Sequence, residues 1–419
     1  MKDLARWIKE GTMTEKNWTR RRFMEVGCKL GAGAWLASVA GCAGDQVLSP
    51  SNMDYLKIPP AKRSGEVALG IYQSRDLRSI CEETVSAISD MKWLSRGDSV
   101  FLKIACNSPH KHPSVTSPEA IKAMVGFLKD RGAGTVYVGD QSGIEFVRLT
   151  RTGRMGSTQD LMTRCGQLEG AKSAGAKIYC FDDHGWDNYH KAESDFENVW
   201  EDNLYLPDLL REVDHIVYLP RLGAHSIAGY TCGIKNAVGW LRDDSRLFLH
   251  QGGPVFFKRI AEINHFPLIR KKLRLTVTLG DSALVHMGPD FGTRYQFGGG
   301  FGLASTRLVD HDYLASSMIP WLSKHAVSIY DLYSPYPTHV NYWNRKVIEG
   351  AWGEEGLRNY RSIAPFHFGT KIENDPCLSH LATIERYRPR KIVILKKGDN
   401  IPDGLVGHLK QSAEGILEI

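Results

Sequence analysis

From Glu66 onward the chain alternates between short apolar strands and amphipathic helices, and this pattern constrains the fold more than any other feature. The segments EVALGIY, SVFLKIA and TVYVGD read as strands, separated by LRSICEETVSAISDMKWL and TSPEAIKAMVGFLKDRGAG, where apolar residues recur three and four positions apart. Further buried strands are predicted in AKIYCFD, VDHIVYLP and KLRLTVTLGD. Strand, helix and strand in repetition predict an α/β fold with a mainly parallel sheet and helices on both faces.

This α/β domain is predicted to span residues 65–330. Its second helix carries boundary signals at both ends, with Pro118 in the first turn, Glu119 near the positive end and Gly132 at the close. Beyond about Tyr330 the pattern gives way to the aromatic, loop-like YDLYSPYPTHVNYWNRK, followed by one more strand–helix signal in RKIVILKKGDNIPDGLVGHLKQ. Residues 331–419 are therefore expected to form an irregular, aromatic-rich C-terminal extension that packs on the domain or completes it.

The amino-terminal segment has the form of an export signal. Thr19-Arg20-Arg21-Arg22-Phe23-Met24 fits the twin-arginine pattern, and a weakly apolar run from about Val26 to Gly41 follows it. That run is too short and too rich in glycine for a spanning helix, which needs roughly 20 apolar residues. Arg20 and Arg21 are therefore predicted to be read by the twin-arginine export machinery. A basic, partly buried amphipathic helix is the alternative.

Cys42 ends this run, and Val39-Ala40-Gly41-Cys42 resembles a bacterial lipobox, whose cysteine is lipidated and becomes the mature amino terminus. Stable anchoring needs more than one acyl chain, which such a cysteine carries. Residues 43–64 lack periodicity and contain three prolines, so they predict a tether. Residues 1–42 are thus predicted to be a signal peptide with a lipobox. The mature protein would be anchored to the membrane outside the cytoplasm, in the periplasm or at the cell surface. Ordinary cleavage beside an incidental Cys42 is the alternative.

The charge balance excludes one class of partner. The whole chain has 53 Lys and Arg against 47 Asp and Glu, and residues 1–41 hold eight of the former and four of the latter. The remaining 45 basic and 43 acidic residues give a net charge of +2. Since no basic patch or run of the kind that binds nucleic acid remains, nucleic acid is not an expected partner.

Six cysteines remain after Cys28 and Cys42, and the sequence leaves their state open between disulfides and free thiols. Their number is even and the predicted destination is oxidising, which suits disulfides. Yet their spacing is wide, and twin-arginine cargo folds before export in a reducing cytosol, so buried free thiols are the favoured prediction. No Cys-x-x-Cys pair is present, so an iron–sulfur cluster is not expected, whereas another bound metal ion is compatible with the sequence.

Polar residues at the ends of predicted strands are the candidates for a site, because parallel sheets bind ligands at the carboxyl edge of their strands. These candidates are Asn107, His110, His112, Asp140, Arg221, His225 and Asp281. Lys103 lies inside an apolar strand, where its ammonium needs an anion or a carboxylate partner unless the strand is an edge that faces solvent. His110 and His112 lie two apart on an extended loop and form a weak metal-binding motif, although a solvated loop explains them as well.

The densest polar group lies in LPRLGAHSIAGYTCGIKNAVGWLRDDSRLFLH, residues 219–250. Thr231, Lys235 and Gly239 are spaced by four, as on one face of a helix. Small residues beside them allow a ligand or another backbone to approach closely. Lys235 and Asn236 on an otherwise apolar helix therefore predict a ligand contact, with pairing of Lys235 to a core carboxylate as the alternative.

Several of these segments resemble the family of the domain of unknown function 362. They are VFLKIACNSPHKHPSVTSPEAIKAMVGFLKDRGAGTVYVGDQSG, VDHIVYLPRLGAH, TCGIKNAVGWL and the Asp310-His311-Asp312 segment, over roughly residues 66–325. The resemblance implies an α/β domain in which Lys103, Asn107, Asp140, His225, Lys235 and Asn236 match family motif positions. Arg221 stands where many members have lysine, and the four-cysteine ferredoxin-like motif of many members is absent. The resemblance implies no established reaction.

These patterns together lead to one main hypothesis. The chain is predicted to be an exported, lipid-anchored protein whose strand-end site binds an anionic or metal-associated small ligand, with or without acting on it. Asp140, His225 and Lys235 are the catalytic candidates, the first two as base or metal ligand. Lys103, Lys235 and Arg221 would hold negative charge, and the site would be completed by Asn107, Asn236, Asp281, Asp310 and His311.

The rival hypothesis is a non-catalytic binding or assembly lipoprotein at the membrane surface. Its contact surface would be the aromatic residues 330–352, unless these simply pack over the sheet. An enzyme predicts convergent polar side chains in a closed pocket, whereas an assembly factor predicts an exposed apolar patch.

Overall fold

The computed structural model describes residues 66–326 (apart from 226, 252, 287 and 291), 354, 358, 375–387, 392–398, 400–412 and 417–418. The predicted signal peptide, lipobox and tether, and the aromatic residues 330–352, therefore lie outside the described residues.

The strands follow the apolar, β-branched and aromatic segments of the sequence. In chain order they are β1 (Glu66–Ile71), β2 (Ser99–Ile104), β3 (Thr135–Gly139), β4 (Arg148–Thr150), β5 (Gly153–Met155), β6 (Lys177–Ile178), β7 (Tyr189–Lys191), β8 (Tyr205–Pro207), β9 (His215–Leu219), β10 (Gly223–His225), β11 (Gly229–Thr231), β12 (Leu273–Leu284), β13 (Arg294–Ser305), β14 (Ile392–Lys397) and β15 (Leu417–Glu418).

The helices of the described residues connect and flank these strands. In chain order they are α1 (Leu77–Ile88), α2 (Pro118–Asp130), α3 (Thr158–Cys165), α4 (Gln167–Ser173), α5 (Leu209–Glu212), α6 (Gly233–Asn236), α7 (Asp243–His250), α8 (Phe256–Ile263), α9 (Pro267–Lys272), α10 (Leu308–His325), α11 (Pro376–Ile384) and α12 (Asp403–Ser412). Within the described ranges no helix has both the length and the apolar character needed to cross a membrane.

The predicted α/β fold with a mainly parallel sheet is confirmed. The main sheet has the order β15-β14-β1-β13-β12-β9-β2-β3-β6, and along this path only β13 runs against its neighbours. A short ladder of β10 and β11 joins the end of β12 where Gly223 pairs with Leu284. Two separate hairpins, β4–β5 and β7–β8, lie outside the main sheet.

Helices cover both faces of the sheet, as predicted, because both faces of its strands are apolar. In β1, Val67, Leu69 and Ile71 belong to one buried cluster, while Ala68 between them belongs to the other. Residues of α1, α2, α3 and α4 fill the second cluster. Residues of α5, α6, α8, α9, α10, α11 and α12 fill the first. Alternate side chains of a strand point to opposite faces, so the two cores are separated by the sheet itself.

Local signals set the helix ends. The Ser117 hydroxyl accepts the N–H of Ala120, Pro118 occupies the first turn of α2, and Gly132 follows its end with φ +108°. The segment LRSICEETVSAISDMKWL, in contrast, is helical only to Ile88, since Ser89 is extended and Met91 has φ +56°. The predicted strand AKIYCFD is likewise shortened to Lys177–Ile178, and a 3-10 turn at Phe181–His184 follows.

The C-terminal part of the chain adds to both the sheet and one helical layer. β14 pairs in parallel with β1, so the carboxyl-terminal strands extend the sheet beyond the first strand. Helix α11 lies against α8, where His380 Nε2 is 2.9 Å from Glu262 Oε1. Just beyond α11, the Tyr387 hydroxyl donates to Asp310 Oδ1 at 2.5 Å.

Candidate functional site

The chemistry-bearing residues gather at the carboxyl ends of three neighbouring strands. β2 lies between β3 and β9, with Lys103 in register with Gly139 and Tyr218. The chain segments that leave these strands therefore emerge side by side, which places Asn107, Asp140 and Arg221 at one edge. Helix α6, which carries Lys235 and Asn236, closes over this edge.

Lys103 and Asp140 form a buried ion pair beneath the edge. Lys103 Nζ lies 2.6 Å from Asp140 Oδ1, with side chains only 1% and 5% exposed, and donates to the carbonyl oxygen of Ile104 at 2.9 Å. The Asp140 carboxylate also accepts the N–H groups of Cys106 at 2.7 Å and Gln141 at 2.8 Å. Burial lowers the pKa of Lys103, and the charge of Asp140 opposes that shift. Since each side chain is engaged inside the protein, the geometry favours a supporting role for both over contact with a ligand.

Asn236 connects helix α6 to strand β2, beside the Lys103–Asp140 ion pair. Its Nδ2 donates to the carbonyl oxygen of Lys103 at 2.9 Å. Three residues further on, Gly239 lies so close to the ion pair that an added Cβ would overlap Asp140 Oδ1 and Lys103 Nζ. Asn236 therefore positions the helix, and its neighbour Lys235 projects elsewhere because successive helical side chains diverge by about 100°.

Lys235 is a partly exposed lysine that has no counter-ion in the described part of the chain. Among the residues that the structure describes, its Nζ makes no hydrogen bond or ion pair. Burial, followed by the positive charges of Arg221 and Arg246, lowers the pKa of Lys235 to about 8. Asp290 acts against this shift without forming an ion pair. The sequence-based alternative, a lysine paired to a core carboxylate, is thus not what the described residues form.

Arg221 lies in the same group and is also incompletely satisfied. The residue is 2% exposed, its Nη1 donates to the carbonyl oxygen of Pro113 at 3.3 Å, and its buried Nε has no partner among the described residues. Its Nη2 likewise makes no hydrogen bond to any described residue. Burial lowers the pKa of Arg221 to about 10, and the charge of Asp290 opposes that shift. The guanidinium therefore presents one unfilled edge, formed by Nε and Nη2.

His225 is held as a neutral donor. Its Nδ1 accepts the N–H groups of Ile227 at 3.1 Å and Ala228 at 3.2 Å, so the ring proton resides on Nε2. Burial and the charges of Lys235 and Arg221 lower the pKa of His225 well below its usual value, which keeps the ring uncharged. With the Nδ1 lone pair engaged and a proton on Nε2, the ring offers no free lone pair to a metal or to a proton. The geometry therefore favours His225 as a hydrogen-bond donor over the predicted base or metal ligand.

Asn107 contacts an acid that the sequence did not single out. Its Nδ2 donates to Asp290 Oδ1 at 2.6 Å, and the Ser114 hydroxyl donates to the Asp290 carbonyl oxygen at 2.7 Å. Asp290 follows β12 in the loop to β13, far from Asn107 in sequence. No local pattern distinguishes it, because its role arises from the packing of two distant loops.

Two further residues of the site lie on α7. The buried Arg246 donates from Nη2 to the carbonyl oxygen of Gln141 at 2.5 Å, from Nε to that of Leu241 at 3.1 Å, and from Nη1 to that of Ser142. His250 Nδ1 donates to the Arg246 carbonyl oxygen at 2.7 Å, and burial lowers the pKa of His250 to about 4. Arg246 and His250 are four residues apart on one helix, and this spacing predicts from the sequence that both side chains lie on the same face.

His110 and His112, the predicted pair of metal ligands, contact different residues. His112 Nδ1 donates to the Val115 carbonyl oxygen at 3.2 Å, and its Nε2 lies 3.3 Å from Asp281 Oδ1. This contact lowers the pKa of Asp281 to about 2. His110 instead lies near Asp290, and burial lowers its pKa. Asp281 is therefore a partner of His112 at the rim, and the two imidazole rings have separate surroundings.

Asp310 and His311, which were predicted to complete the strand-end site, instead contact residues in two other regions. Asp310 is fully buried against Arg307, at 3.3 Å, and Tyr387. His311 Nδ1 donates to Asp312 Oδ1 at 2.9 Å, and its Nε2 lies 3.2 Å from the Thr278 hydroxyl. Asp312 in turn accepts the N–H groups of Gly233 at 2.9 Å and Ile234 at 2.7 Å, which caps α6. His311 thus supports Lys235 indirectly, through Asp312 and the start of its helix.

One group of potential metal ligands exists among the described residues. Cys232, His311 and Asp312 are buried, and one ligand atom from each lies within 4.8 Å of the others. The group is compatible with a metal ion, yet its polar atoms already bond to one another, to Thr278 and to the helix N–H groups. His110 and His112 are not part of it.

The six cysteines among the described residues are buried free thiols. They are Cys81, Cys106, Cys165, Cys180, Cys232 and Cys377. Burial raises the pKa of most of them, including Cys81 to about 12, so these thiols are poorly reactive.

Of the comparisons with known proteins, the family profile identifies the domain and assigns no reaction. The profile of the family described as "Domain of unknown function (DUF362)" matches residues 100–317, which is more than half of the chain. No curated protein matches the sequence. The chain is similar to the lactate racemase apoprotein from Thermoanaerobacterium thermosaccharolyticum, with 14% identity and a TM-score of 0.35 over 62% of this chain and 58% of that one. It is also similar to a structural-genomics protein from Thermotoga maritima, with 12% identity and a TM-score of 0.30 over 49% of each chain. The chain thus spans about half to three fifths of these structures.

Proposed function

The chain belongs to the family of the domain of unknown function 362, and from that premise we propose that it is an exported, lipid-anchored protein that binds a small oxyanion at its strand-end site. A small oxyanion here means a molecule with a carboxylate or phosphate group. Asn107, Arg221, His225 and Lys235 would face the ligand. Lys103, Asp140 and Asn236 would hold those residues in place from below, and Asp281 would do so from the rim.

The unfilled edge of Arg221 carries this proposal. Nη1 is anchored to the Pro113 carbonyl oxygen, while Nε and Nη2 lack partners among the described residues. Two parallel N–H groups on one edge match the two oxygens of a carboxylate or phosphate. A buried charged donor left without a partner costs about 1–3 kcal/mol or more, which a bound oxyanion would recover.

The neighbours of Arg221 support the same ligand class. Lys235 Nζ and His225 Nε2 are donors, and neither has a described partner. Arg246 adds positive charge but is satisfied by three carbonyl oxygens. Among the described carboxylates, Asp290 is the one that acts on both Arg221 and Lys235. A site with more cations than anions and with donors facing inward suits an anion.

A metal-associated ligand receives less support from this donor set. Protonated lysine and arginine have no lone pair to offer, and His225 carries its proton on Nε2. A metal would therefore have to enter with the ligand or occupy the separate Cys232–His311–Asp312 group.

The rival function, a non-catalytic assembly lipoprotein, has its predicted contact surface at residues 330–352, outside the described residues. The exposed large hydrophobic residues of the described surface are Met155 and Leu247, which make no extended patch. Export and lipid anchoring, with the twin-arginine machinery and the membrane as partners, are supported by residues 19–24 and 39–42 of the sequence.

Calorimetric titration with inorganic phosphate and with acetate tests the proposed site. We expect Arg221→Met to weaken oxyanion binding by about 10–100-fold, as lost hydrogen bonds to a charged group predict. Arg75→Met, which alters an exposed arginine outside the site, is the matched control and should bind like the parent protein. Equal affinity for parent and Arg221→Met would exclude the proposal.

A further inference from the structure

We propose that Lys235 is an amine that captures the carbonyl group of a small 2-oxo acid, whose carboxylate is held by the Nε and Nη2 edge of Arg221. This inference rests on the proposed oxyanion site.

The amine of Lys235 is available in a way that the buried lysines of the described residues, Lys103 and Lys272, are not. Lys103 Nζ is paired with Asp140 at 2.6 Å. Lys272 Nζ donates to the carbonyl oxygens of Leu210, Arg211 and Val213 at 2.7, 3.0 and 2.5 Å. Lys235 Nζ has no described acceptor and is partly exposed at the site. A carbonyl carbon can therefore approach its nitrogen without displacing a partner.

The protonation state of Lys235 supports the same role. An imine forms only from the neutral amine. An ordinary lysine, with a pKa of about 10.4, has almost no neutral amine at neutral pH. With its pKa lowered to about 8, Lys235 holds roughly one tenth of its population as free amine at pH 7. Lys272 has a similarly lowered pKa of about 8, but its amine donates to three carbonyl oxygens. Comparing the two lysines therefore shows whether a lowered pKa is sufficient for reaction or whether the amine must also lack a partner.

The neighbouring donors select an oxo acid rather than a simple aldehyde. Arg221 offers a two-point contact for the carboxylate, which fixes the carbonyl carbon next to it. His225, neutral and protonated on Nε2, can donate a hydrogen bond to the carbonyl oxygen as negative charge develops there. Asp290, held by Asn107 at 2.6 Å, balances part of the positive charge without blocking Lys235 by an ion pair.

The step balances without an external oxidant or reductant. The Lys235 ammonium first loses a proton to solvent, and its nitrogen lone pair then attacks the carbonyl carbon. A C–N bond forms and the C=O π bond breaks, leaving a positively charged nitrogen. The oxygen takes a proton from water, and the nitrogen gives one to the hydroxide left behind, which yields the neutral carbinolamine. The nitrogen lone pair then expels the hydroxyl, which leaves as water with a proton from solvent, and release of the remaining N–H proton to solvent gives the imine. Hydrolysis reverses each step.

Reductive trapping of the full chain with glyoxylate and cyanoborohydride tests the inference. Hydride reduces the imine to a stable secondary amine, so the captured lysine gains one carboxymethyl group that peptide mapping can locate. We expect Lys235 to be modified at least about tenfold faster than exposed Lys122, given its larger fraction of free amine. Lys272 should stay unmodified, and Arg221→Met should lower labelling by glyoxylate but not by acetaldehyde.

The outcomes separate this inference from the proposed oxyanion site. If phosphate and acetate bind but glyoxylate labels Lys235 no faster than Lys122, the site stands and the covalent role of Lys235 is overturned. If neither oxyanion binds and no selective adduct forms, both proposals fail. Selective labelling that is abolished in Lys235→Met and reduced in Arg221→Met supports the inference.

Discussion

Buried cations in this fold are neutralised in different ways, and the differences identify the site. Lys103 has a carboxylate at 2.6 Å, whereas Lys272 and Arg246 each donate to three carbonyl oxygens. Arg221 and Lys235 retain donors without a described partner. At the scale of the residue, the N–H donors that lack a hydrogen-bond partner therefore indicate the functional site, because a buried unpaired charge persists only where something else stabilises it.

The lowered pKa of Lys235 leads to a prediction about stability and pH. Between its folded pKa of about 8 and its unfolded value of about 10.4, the unfolded state binds more protons, so stability rises with pH across that window. The charged groups that act on Lys235 or on His225 beside it are Arg221, Arg246 and Asp290, and the uncharged titratable groups there are His225, His250 and Cys377. Lys235→Met should remove this slope and stabilise the free protein by up to about 3 kcal/mol at pH 7.

Urea unfolding of the parent, Lys235→Met and the control Lys122→Met at pH 7 and pH 9.5 measures this effect. The gap between parent and Lys235→Met should shrink at the higher pH, while Lys122→Met follows the parent. Destabilisation of Lys235→Met by several kcal/mol would show instead that a carboxylate pairs with Lys235. Phosphate affinity of the parent should fall as pH rises through 8, because the neutral amine no longer attracts the anion.

At the scale of the element, the four-residue helix α6 is placed by contacts from three directions. Asp312 accepts its first N–H groups, Asn236 bonds to the Lys103 carbonyl oxygen, and Asn264 Nδ2 donates to the Ile234 carbonyl oxygen at 3.0 Å. A helix this short has little stability of its own. Its orientation, and hence the direction of Lys235, depends on tertiary packing.

Substitution of Gly239 tests how closely α6 and the turn after it must approach the sheet. A Cβ at this position would overlap the Lys103–Asp140 pair, so Gly239→Ala should force α6 and its following turn outward. We expect a loss of about 1–3 kcal/mol in unfolding free energy, together with weaker phosphate binding. Gly407→Ala is the control, since an added Cβ on α12 meets nothing within 4 Å and should stabilise by roughly 0.5–1 kcal/mol. Equal stability of Gly239→Ala and the parent in urea unfolding would contradict the close approach.

At the scale of the whole molecule, strands from both ends of the described chain meet in one sheet. β1 pairs with β14 on one side and with β13 on the other, so the sheet is completed only when the C-terminal strand is in place. Such long-range pairing requires most of the chain. If the chain is exported folded, as the twin-arginine motif predicts, this whole sheet would have to assemble before translocation.

Arg20→Lys combined with Arg21→Lys should leave the precursor inside the cell. The export receptor reads the guanidinium pair as an address, and lysine does not reproduce its planar geometry. Cell fractionation followed by immunoblotting measures the distribution, with Arg75→Lys as a control outside the signal. Normal export of the double variant would remove the main support for folding before translocation.

Cys42→Ala should release the protein from membranes or block its processing. Lipidation requires the cysteine thiol, and anchoring requires the acyl chains attached to it. Membrane flotation and the mass of the mature amino terminus measure the result, with Cys28→Ala as the control within the leader. Unchanged processing and membrane retention would contradict the lipobox.

The sequence alone determined the features that depend on near neighbours. Alternating apolar segments predicted the parallel sheet with helices on both faces, and Ser117, Pro118 and Gly132 marked the ends of α2, because periodicity and capping act within a few residues. The strand-end rule also selected Arg221, since parallel strands end at a common edge, and helical spacing selected Lys235.

Only the tertiary structure decided which of those residues face one another. Lys103 and Asp140 could each be predicted as ligand contacts, yet they neutralise each other across β2 and β3. Asp310 turns toward Tyr387, and Asp290 enters the site from a loop with no local signature. Side-chain direction and partner depend on contacts between segments that are distant in sequence. No local pattern encodes them, because the burial and electrostatic energies that select them exist only once the whole sheet has assembled.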